Sequence, residues 1–336
     1  MSSARLGKYR NDLTLFMAIA FVMSWAAWAV AIALGDAGAA TAFHALGAFG
    51  PLVGALVVRI RRTRRGEAVP ELAVRFRKAA LVWTPPLLVL GSATVLAGAF
   101  LAHQGGGPAL SLESGKDMIE ANPGGPVSFF ATMLLVGPLS EEPGWRGTAH
   151  PRMRATMNRY TVGLVLGVIW AVWHLPLFFI DGTVQNELGL ATPSGALFTA
   201  SAVPMAMLVC HAYERAGVLA AIATHFAVNT TMVMLGVEEP VTLAMILGVQ
   251  AVVAVGLLAT IRPADGRASR RRTVRRSPTP RRPADRPADR RSGRRRDPAV
   301  VVAQLASRSS LSRESLPGSA SYATRVRSSA GRSRDS

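Results

Sequence analysis

The sequence contains a single cysteine, few aromatic residues and, outside one segment, few charges. Cys210 is the only cysteine among 336 residues, which excludes a disulfide framework and a zinc cluster built on cysteine. Aromatic residues amount to 7% and charged residues to 17%, whereas half of all residues are hydrophobic. Together with a positive mean hydropathy, this composition is typical of a membrane protein.

The basicity of the chain comes from its C-terminal segment. Residues 262–336 contain 21 arginines, no lysine and six acidic residues, a balance of +15 within a total of +18. The segment offers little to bury, so it is predicted to be a disordered Arg/Pro/Ser-rich tail. No aromatic residue stands among the arginines of 267–296. We therefore expect a solvated tail that can contact anionic lipid, and we expect no nucleic-acid partner.

Apolar stretches long enough to cross a bilayer recur through residues 1–261. They predict an all-α, polytopic membrane helix bundle of about eight transmembrane helices, with a motif-bearing core at 127–236. The eight stretches are 13–34, 41–58, 80–102, 127–149, 161–180, 196–213, 217–236 and 240–261.

Basic residues mark every second loop between these stretches. One such loop, after the fourth stretch, contains Arg152, Arg154 and Arg159, whereas the loop before that stretch is mainly acidic. By the positive-inside rule both termini are predicted to be cytoplasmic. The composition favours a bacterial plasma membrane as the location.

Ionisable residues inside membrane spans are functional candidates, because they are costly in lipid. If the fourth stretch continues as one helix to about residue 156, its acid pair lies roughly 20 Å from the cytoplasmic end, and the histidines of later spans lie at a similar depth. We expect these polar side chains to meet inside the bundle. They are Glu141, Glu142, Arg146, His174, His225 and Asn229.

The spacing of these residues separates the two glutamates. Glu142 and Arg146 are four residues apart and share a helix face, whereas Glu141 points about 100° away. Arg146 is therefore expected to neutralise Glu142 and to leave Glu141 free to face a cavity and the histidines. Two further pairs share a face in the same way, Trp170 with His174 and His225 with Asn229.

This set of side chains has the parts of a hydrolytic site. A carboxylate in a cavity of low dielectric constant can act as a general base near neutral pH, and a neutral imidazole can orient its water. A histidine and an amide on one face can donate hydrogen bonds to an oxyanion. Two alternatives stay open. One is a metal-activated water held by Glu141, His174 and His225, and the other is a polar network that only joins helices.

Three segments resemble the motifs of the CPBP family, which includes CAAX prenyl proteases and bacteriocin-processing or immunity proteins of the Rce1 and Abi type. They are EEPGWRG from Glu141, WAVWH from Trp170 and HFAVN from His225. Order and spacing agree with the family pattern over about 120–240. Trp170 stands where the family commonly has phenylalanine.

The resemblance implies an intramembrane endopeptidase. Glu141 would activate the water with help from His174, and His225 and Asn229 would stabilise the oxyanion. The need for a divalent metal such as zinc stays open, since both metal-dependent and metal-free glutamate mechanisms are proposed for the family. A supporting role is implied for Glu142, Arg146 and Trp170.

Other functions remain as alternatives. The chain has no His-Glu-x-x-His, Gly-x-Ser-x-Gly or Gly-x-Gly-Asp motif, so other intramembrane protease chemistries fit it less well. A non-catalytic binding or immunity scaffold on the same fold is the main alternative, and a proton-coupled transporter is a weaker one. For a bacterial peptidase, a leader peptide, bacteriocin or membrane-protein segment is expected as substrate before a prenylated CAAX protein.

Overall fold

The computed structural model describes residues 3–35, 38–70, 73–74 and 77–261. Within these ranges all regular structure is helical, which confirms the predicted all-α bundle. The predicted tail at 262–336, with its expected disorder, lies outside the described residues.

The helices are numbered in chain order, and shorter helical pieces join some of them. The α-helices are α1 Ser3–Leu34, α2 Gly38–Ala48, α3 Gly50–Arg64, α4 Ala79–Gln104, α5 Glu113–Ala121, α6 Gly125–Leu134, α7 Ser140–Gly144, α8 His150–Met153, α9 Arg159–His174, α10 Val184–Leu188, α11 Pro193–Ala216, α12 Val218–Met234 and α13 Pro240–Thr260. The joining pieces are two π-helical segments, Leu135–Leu139 and Trp145–Ala149, and a 3₁₀ segment, Leu175–Phe179.

Five helices of the described chain are long and apolar enough to cross a membrane. They are α1, α4, α11, α13 and the combination of α9 with its 3₁₀ extension. α2 and α3 make a sixth candidate if they form one span bent by 41°, while α12 is apolar but has 17 residues. Every predicted apolar stretch falls on helices, yet the count of eight spans stays a prediction.

The segment that carries the acid pair differs from the single regular helix that the sequence predicted. It remains helical from Gly125 to Met153, but the two π-helical segments interrupt it. Within the first of these, Val136 leaves helical geometry, with φ −91° and ψ 18°. Pro138 follows two residues later, and a proline inside a helix removes a backbone donor and displaces the preceding turn. The π-helical turns are the form that this distortion takes.

The core beneath the acid pair is built from large aromatic side chains. Trp28 of α1, Trp145 of the second π-helical segment and Trp173 of α9 are all buried. The ring centroids lie 4.7 Å apart for Trp28 and Trp173 and 5.7 Å apart for Trp145 and Trp173. α11 packs against α9, α12 and α13, and α4 covers α12 and α13. These contacts fix the three segments that carry the motifs relative to one another.

A buried ion network joins α1, α3 and α8. Asp12 Oδ2 accepts hydrogen bonds from Arg62 Nη1 at 2.6 Å and from Arg152 Nη2 at 3.1 Å. All three side chains are buried. Arg152, which the sequence placed among the basic residues after the fourth stretch, lies in α8, and its side chain turns inward to reach the carboxylate. Asp12 therefore holds two buried cations in place.

Replacement of Asp12 by alanine is expected to destabilise the fold. The substitution leaves Arg62 and Arg152 without their shared carboxylate, and loss of one partner of a buried ion pair costs about 3–5 kcal/mol. The thermal midpoint of the purified protein in detergent should therefore fall well below that of the wild type.

The control for this experiment is Glu120→Ala, which removes the pair of Lys116 and Glu120 on α5. Both side chains of that pair are about two-thirds exposed, and exposed pairs contribute little to stability. An equal loss of thermal stability in the two variants would contradict the role given to Asp12.

Candidate active site

Three segments of the chain bring the motif residues together. Glu141 and Glu142 lie in α7, and Arg146 follows in the second π-helical segment. The second motif occupies the last turn of α9, and the third lies in the middle of α12. α12 contacts both α7 and the π-helical segments. The site thus forms where the broken helix meets the end of α9 and the middle of α12.

Glu142 is completely buried and has two basic neighbours. Its Oε1 lies 3.0 Å from Nη1 of Arg146 and 2.8 Å from Nδ1 of His225. The bond to Arg146 is the i,i+4 pair that the sequence predicted, whereas the bond to His225 crosses from α7 to α12. A buried carboxylate is tolerated when it is paired and hydrogen-bonded. Glu142 is therefore engaged in holding the site together.

Glu141 is also buried, but its surroundings are different. Its Oε2 accepts a hydrogen bond of 2.6 Å from the indole nitrogen of Trp170. Its Oε1 faces the backbone of Gly137, where a Cβ atom built on the glycine would lie 4.0 Å from it. Glu141 thus accepts a hydrogen bond from a neutral donor on Oε2, while Oε1 lies near Gly137.

Trp170 contacts four other groups of the site, namely Glu141, Arg146, His174 and His225. Its ring lies edge-on to His174 and to His225, with centroids 5.2 Å and 5.1 Å away. The guanidinium carbon of Arg146 lies 4.9 Å from the ring centroid, which is within the range of a cation–π contact. Trp170 therefore sets the separation of the acid pair from the two histidines.

The hydrogen bonds of His174 define its tautomer. Its Nδ1 lies 2.8 Å from the backbone carbonyl oxygen of Trp170. A carbonyl can only accept, so Nδ1 donates and carries the proton. In the neutral ring Nε2 then has a free lone pair. His174 is partly exposed, so this nitrogen can accept a proton or a hydrogen bond from a bound molecule.

His225 and Asn229 extend the chain of contacts from Glu142. Nδ2 of Asn229 lies 3.1 Å from Nε2 of His225, whose Nδ1 faces Glu142. When the ring carries its proton at Nδ1, Nε2 accepts from the Asn229 amide. A second amide hydrogen of Asn229 then stays available. Arg146, Glu142, His225 and Asn229 thus form one continuous line of polar contacts.

One contact differs from the sequence-based expectation. Glu141 was expected to face both histidines and Asn229 while Glu142 paired with Arg146 alone. The contact to His225 is made by Glu142 instead, because α12 approaches α7 on the face that Arg146 shares. A residue that the sequence reasoning missed is Gly137. It precedes Glu141 by four residues, and this helical spacing could have indicated that the two share a face.

The suggested metal-ligand set does not converge. Glu141 Oε2 is engaged by Trp170, and both ring nitrogens of His225 are engaged by Glu142 and Asn229. Across residues 3–35, 38–70, 73–74 and 77–261, no three His, Cys, Asp or Glu side chains are grouped closely enough to hold a metal ion. The residues present therefore do not fit a metal held by Glu141, His174 and His225, and no step is derived through one.

The fold and the site define an integral membrane protein with a polar cluster buried among apolar helices. Residues 123–231 match the family model of the type II CAAX prenyl endopeptidases, Rce1-like, and this range contains all three motifs. The matched region is thus similar to that of CPBP-family intramembrane proteases, as the motifs had indicated. The chain is also similar to CAAX prenyl protease 2 of Methanococcus maripaludis, with 22% identity over 244 residues that cover 70% of this chain and 89% of the relative.

The same substitution at the two adjacent glutamates is expected to affect stability differently. Glu142→Gln removes the charge that compensates buried Arg146, which should lower the thermal midpoint in detergent by an amount that corresponds to about 3 kcal/mol. Glu141→Gln keeps an oxygen that accepts from Trp170, so its midpoint should stay near that of the wild type. Thermal unfolding of the purified variants measures the difference.

A double variant controls for the origin of the effect. In the double variant Glu142→Gln with Arg146→Gln no unpaired charge remains. Its loss of stability should therefore be smaller than the sum of the losses in the two single variants. Strictly additive losses, or equal losses at the two glutamates, would show that Arg146 is not balanced by Glu142.

Proposed function

We propose that this protein is an intramembrane endopeptidase in which Glu141 activates the water that attacks a peptide bond. The main support is the contrast between two adjacent buried carboxylates. Glu142 is bound by Arg146 and His225, whereas Glu141 meets one neutral donor and borders Gly137. A general base needs a lone pair that no hydrogen bond or ion pair within the protein occupies. Oε1 of Glu141 has no hydrogen-bond partner and borders Gly137 and the amide of Asn229. Glu142 also has an unpartnered oxygen, Oε2, but this oxygen is completely buried and its carboxylate is bound to Arg146 and His225.

The neighbouring groups suit the remaining steps of hydrolysis. Glu141 takes one proton from the attacking water and then gives it to the leaving amine, while Nε2 of His174, whose proton is on Nδ1, accepts a hydrogen bond from the water. Asn229 offers an amide hydrogen to the oxyanion of the tetrahedral intermediate. His225 accepts from the same amide and so orients it. Glu142 and Arg146 support His225, and Trp170 holds Glu141 by its indole N–H.

The substrate class that we propose is a C-terminal CAAX segment presented from the membrane. The family model describes CAAX prenyl endopeptidases, and the archaeal relative is named a CAAX prenyl protease. This assignment replaces the preference for a leader peptide or bacteriocin that the sequence alone had favoured. A prenyl chain would remain in the lipid, which suits a site enclosed by apolar helices.

The setting that we propose is a bacterial plasma membrane with both termini in the cytoplasm. The support is the alternation of basic and acidic loops and the Arg-rich segment 262–336. Arginines close to the membrane surface would bind anionic lipid. In this orientation the catalytic cluster opens toward substrates made in the cytoplasm.

Loss of the proposed base or of its histidine should abolish cleavage. Glu141→Gln and His174→Ala are each expected to reduce turnover by at least about 100-fold. The assay uses proteoliposomes with a farnesylated peptide that ends in a CAAX sequence, and mass spectrometry measures its products. The same peptide without the farnesyl group tests the role of the lipid.

Other outcomes of this assay would assign other functions. If the wild type cleaves only the unprenylated peptide, the peptidase activity is supported and the requirement for a prenyl group is rejected. Binding of either peptide without turnover by the wild type would favour a non-catalytic scaffold. Full activity in Glu141→Gln would reject Glu141 as the base, and proton-coupled uptake without peptide cleavage would favour a transporter.

Trp170→Phe should separate the hydrogen bond of the indole from its packing. Phenylalanine keeps an aromatic ring between the histidines but cannot donate to Glu141. We expect turnover to fall roughly tenfold, since one charge-assisted hydrogen bond contributes about 1.5–3 kcal/mol, while the variant stays folded. Comparison of kcat and of the thermal midpoint with the wild type measures this. A loss of both together would indicate a packing role instead.

A further inference from the structure

Gly137 is a buried glycine in the first π-helical segment, and its backbone does not require glycine. Eight glycines with positive φ occur among the described residues, and Gly137 is not one of them. Its carbonyl accepts a hydrogen bond of 2.9 Å from the Ser140 hydroxyl, as in an ordinary helical turn. A positive φ therefore does not account for the glycine, although the following Pro138 disfavours helical backbone in a residue that has a Cβ. In a helix, glycine is less favourable than alanine by about 1 kcal/mol.

Close packing between helices does not account for Gly137 either. At Gly98 a Cβ atom would lie 2.5 Å from the backbone of Ile246, and at Gly167 it would lie 2.6 Å from that of Val203. Those glycines let two helices approach each other. The nearest atoms to a Cβ at Gly137 are 4.0 Å away, which is ordinary van der Waals contact. The space above Gly137 therefore accommodates an added atom at ordinary contact distance, although the residue is buried.

The two atoms that border this space are functional groups. They are Oε1 of Glu141 and Nδ2 of Asn229, each 4.0 Å from the Cβ position. Oε1 is the carboxylate oxygen that Trp170 does not bind, and Nδ2 carries the amide hydrogen that His225 leaves available. A group in this space would lie between an acceptor and a donor, as a peptide carbonyl and its attacking water require.

We propose that the space above Gly137 receives the scissile peptide group, so that Gly137 is a substrate-positioning residue of the proposed endopeptidase. The absence of a side chain there allows the peptide carbonyl to approach Glu141 and Asn229 together. Even a branched aliphatic side chain would fill the space and push the peptide away. This inference rests on the proposed function, and it adds a steric requirement that none of the three motifs contains.

A series of substitutions tests the steric requirement. Gly137→Leu should lower kcat for the farnesylated CAAX peptide by about 100-fold or more, because displacing a reacting group by about 1 Å can cost that factor. KM should change little, since contacts to the lipid and to the rest of the peptide remain. Gly137→Ala should give a smaller loss of kcat. Gly137→Ala should keep the thermal midpoint of the wild type, because its added atom lies at ordinary contact distance, 4.0 Å, from Glu141 and Asn229, so its loss of kcat reports substrate position and not unfolding.

Gly248→Leu is the matched control. Gly248 lies on an exposed face in the middle of α13, and a Cβ atom there meets nothing within 4 Å. This variant should cleave as the wild type does. If Gly137→Leu also cleaves as the wild type while Glu141→Gln is inactive, the positioning role is wrong and the proposed function stands.

A second measurement does not depend on cleavage. In a Cys210→Ala background, the thiol of Gly137→Cys should react with 2-aminoethyl methanethiosulfonate, because a space that admits water allows the reactive thiolate to form. The thiols of Gly98→Cys, in a packed helix crossing, and of Gly248→Cys, on the apolar face, should react much more slowly. Mass spectrometry measures the rates. An unreactive thiol at position 137 would overturn the inference.

The two measurements also separate the inference from the proposed function. If the wild type cleaves neither peptide, the proposed CAAX endopeptidase activity is contradicted. In that case a reactive thiol at position 137 would show that the space is accessible although the protein has no peptidase activity. The positioning role of Gly137 would then be contradicted together with the activity.

Discussion

The structure of the site depends on the charge balance around Glu142. A carboxylate that is completely buried is stable only with compensating partners, and Arg146 and His225 supply them from the same helical segment and from α12. The hydrogen bond between His225 and Glu142 joins α12 to the broken helix, and His225 in turn contacts Asn229. Without the balance, the interior would contain an unpaired cation beside Trp170. Each other polar residue of the site takes its position from this contact or from Trp170.

The neutralisation of one glutamate lets its neighbour stay free. Glu141 and Glu142 are adjacent in sequence, so they point to different sides of the helix. The basic partners all approach the side of Glu142, while Glu141 meets an indole N–H and the space above Gly137. The irregular backbone around the pair contributes to this arrangement. π-helical turns are less stable than α-helical turns and often occur at functional sites, and here they adjoin α7 on both sides.

The sequence predicted the contacts that helical periodicity determines. Glu142 with Arg146, His225 with Asn229 and Trp170 with His174 are all i,i+4 pairs, and all three are in contact. Contacts between helices could not be derived in this way, because nothing in one sequence states which faces meet. Glu142 and His225 are 83 residues apart and Asp12 and Arg152 are 140 apart. The sequence did not predict the π-helical turns for a related reason. A proline indicates that a helix is distorted, but it does not indicate which kind of turn results.

The same division explains how the proposed catalytic site can exist within an apolar bundle. Burial of an ionisable group costs free energy, and pairing offsets most of that cost here, as in the Asp12 network with Arg62 and Arg152. A fully paired interior, however, has no lone pair left for chemistry. One carboxylate oxygen must stay unengaged, and it must border a space large enough for a reactant. Glu141 meets the first condition through its single neutral partner, and Gly137 meets the second because it contributes no side chain. The acid pair and the glycine four residues before it therefore act as one unit, in which Glu142 stabilises the fold and Glu141 remains available for the reaction.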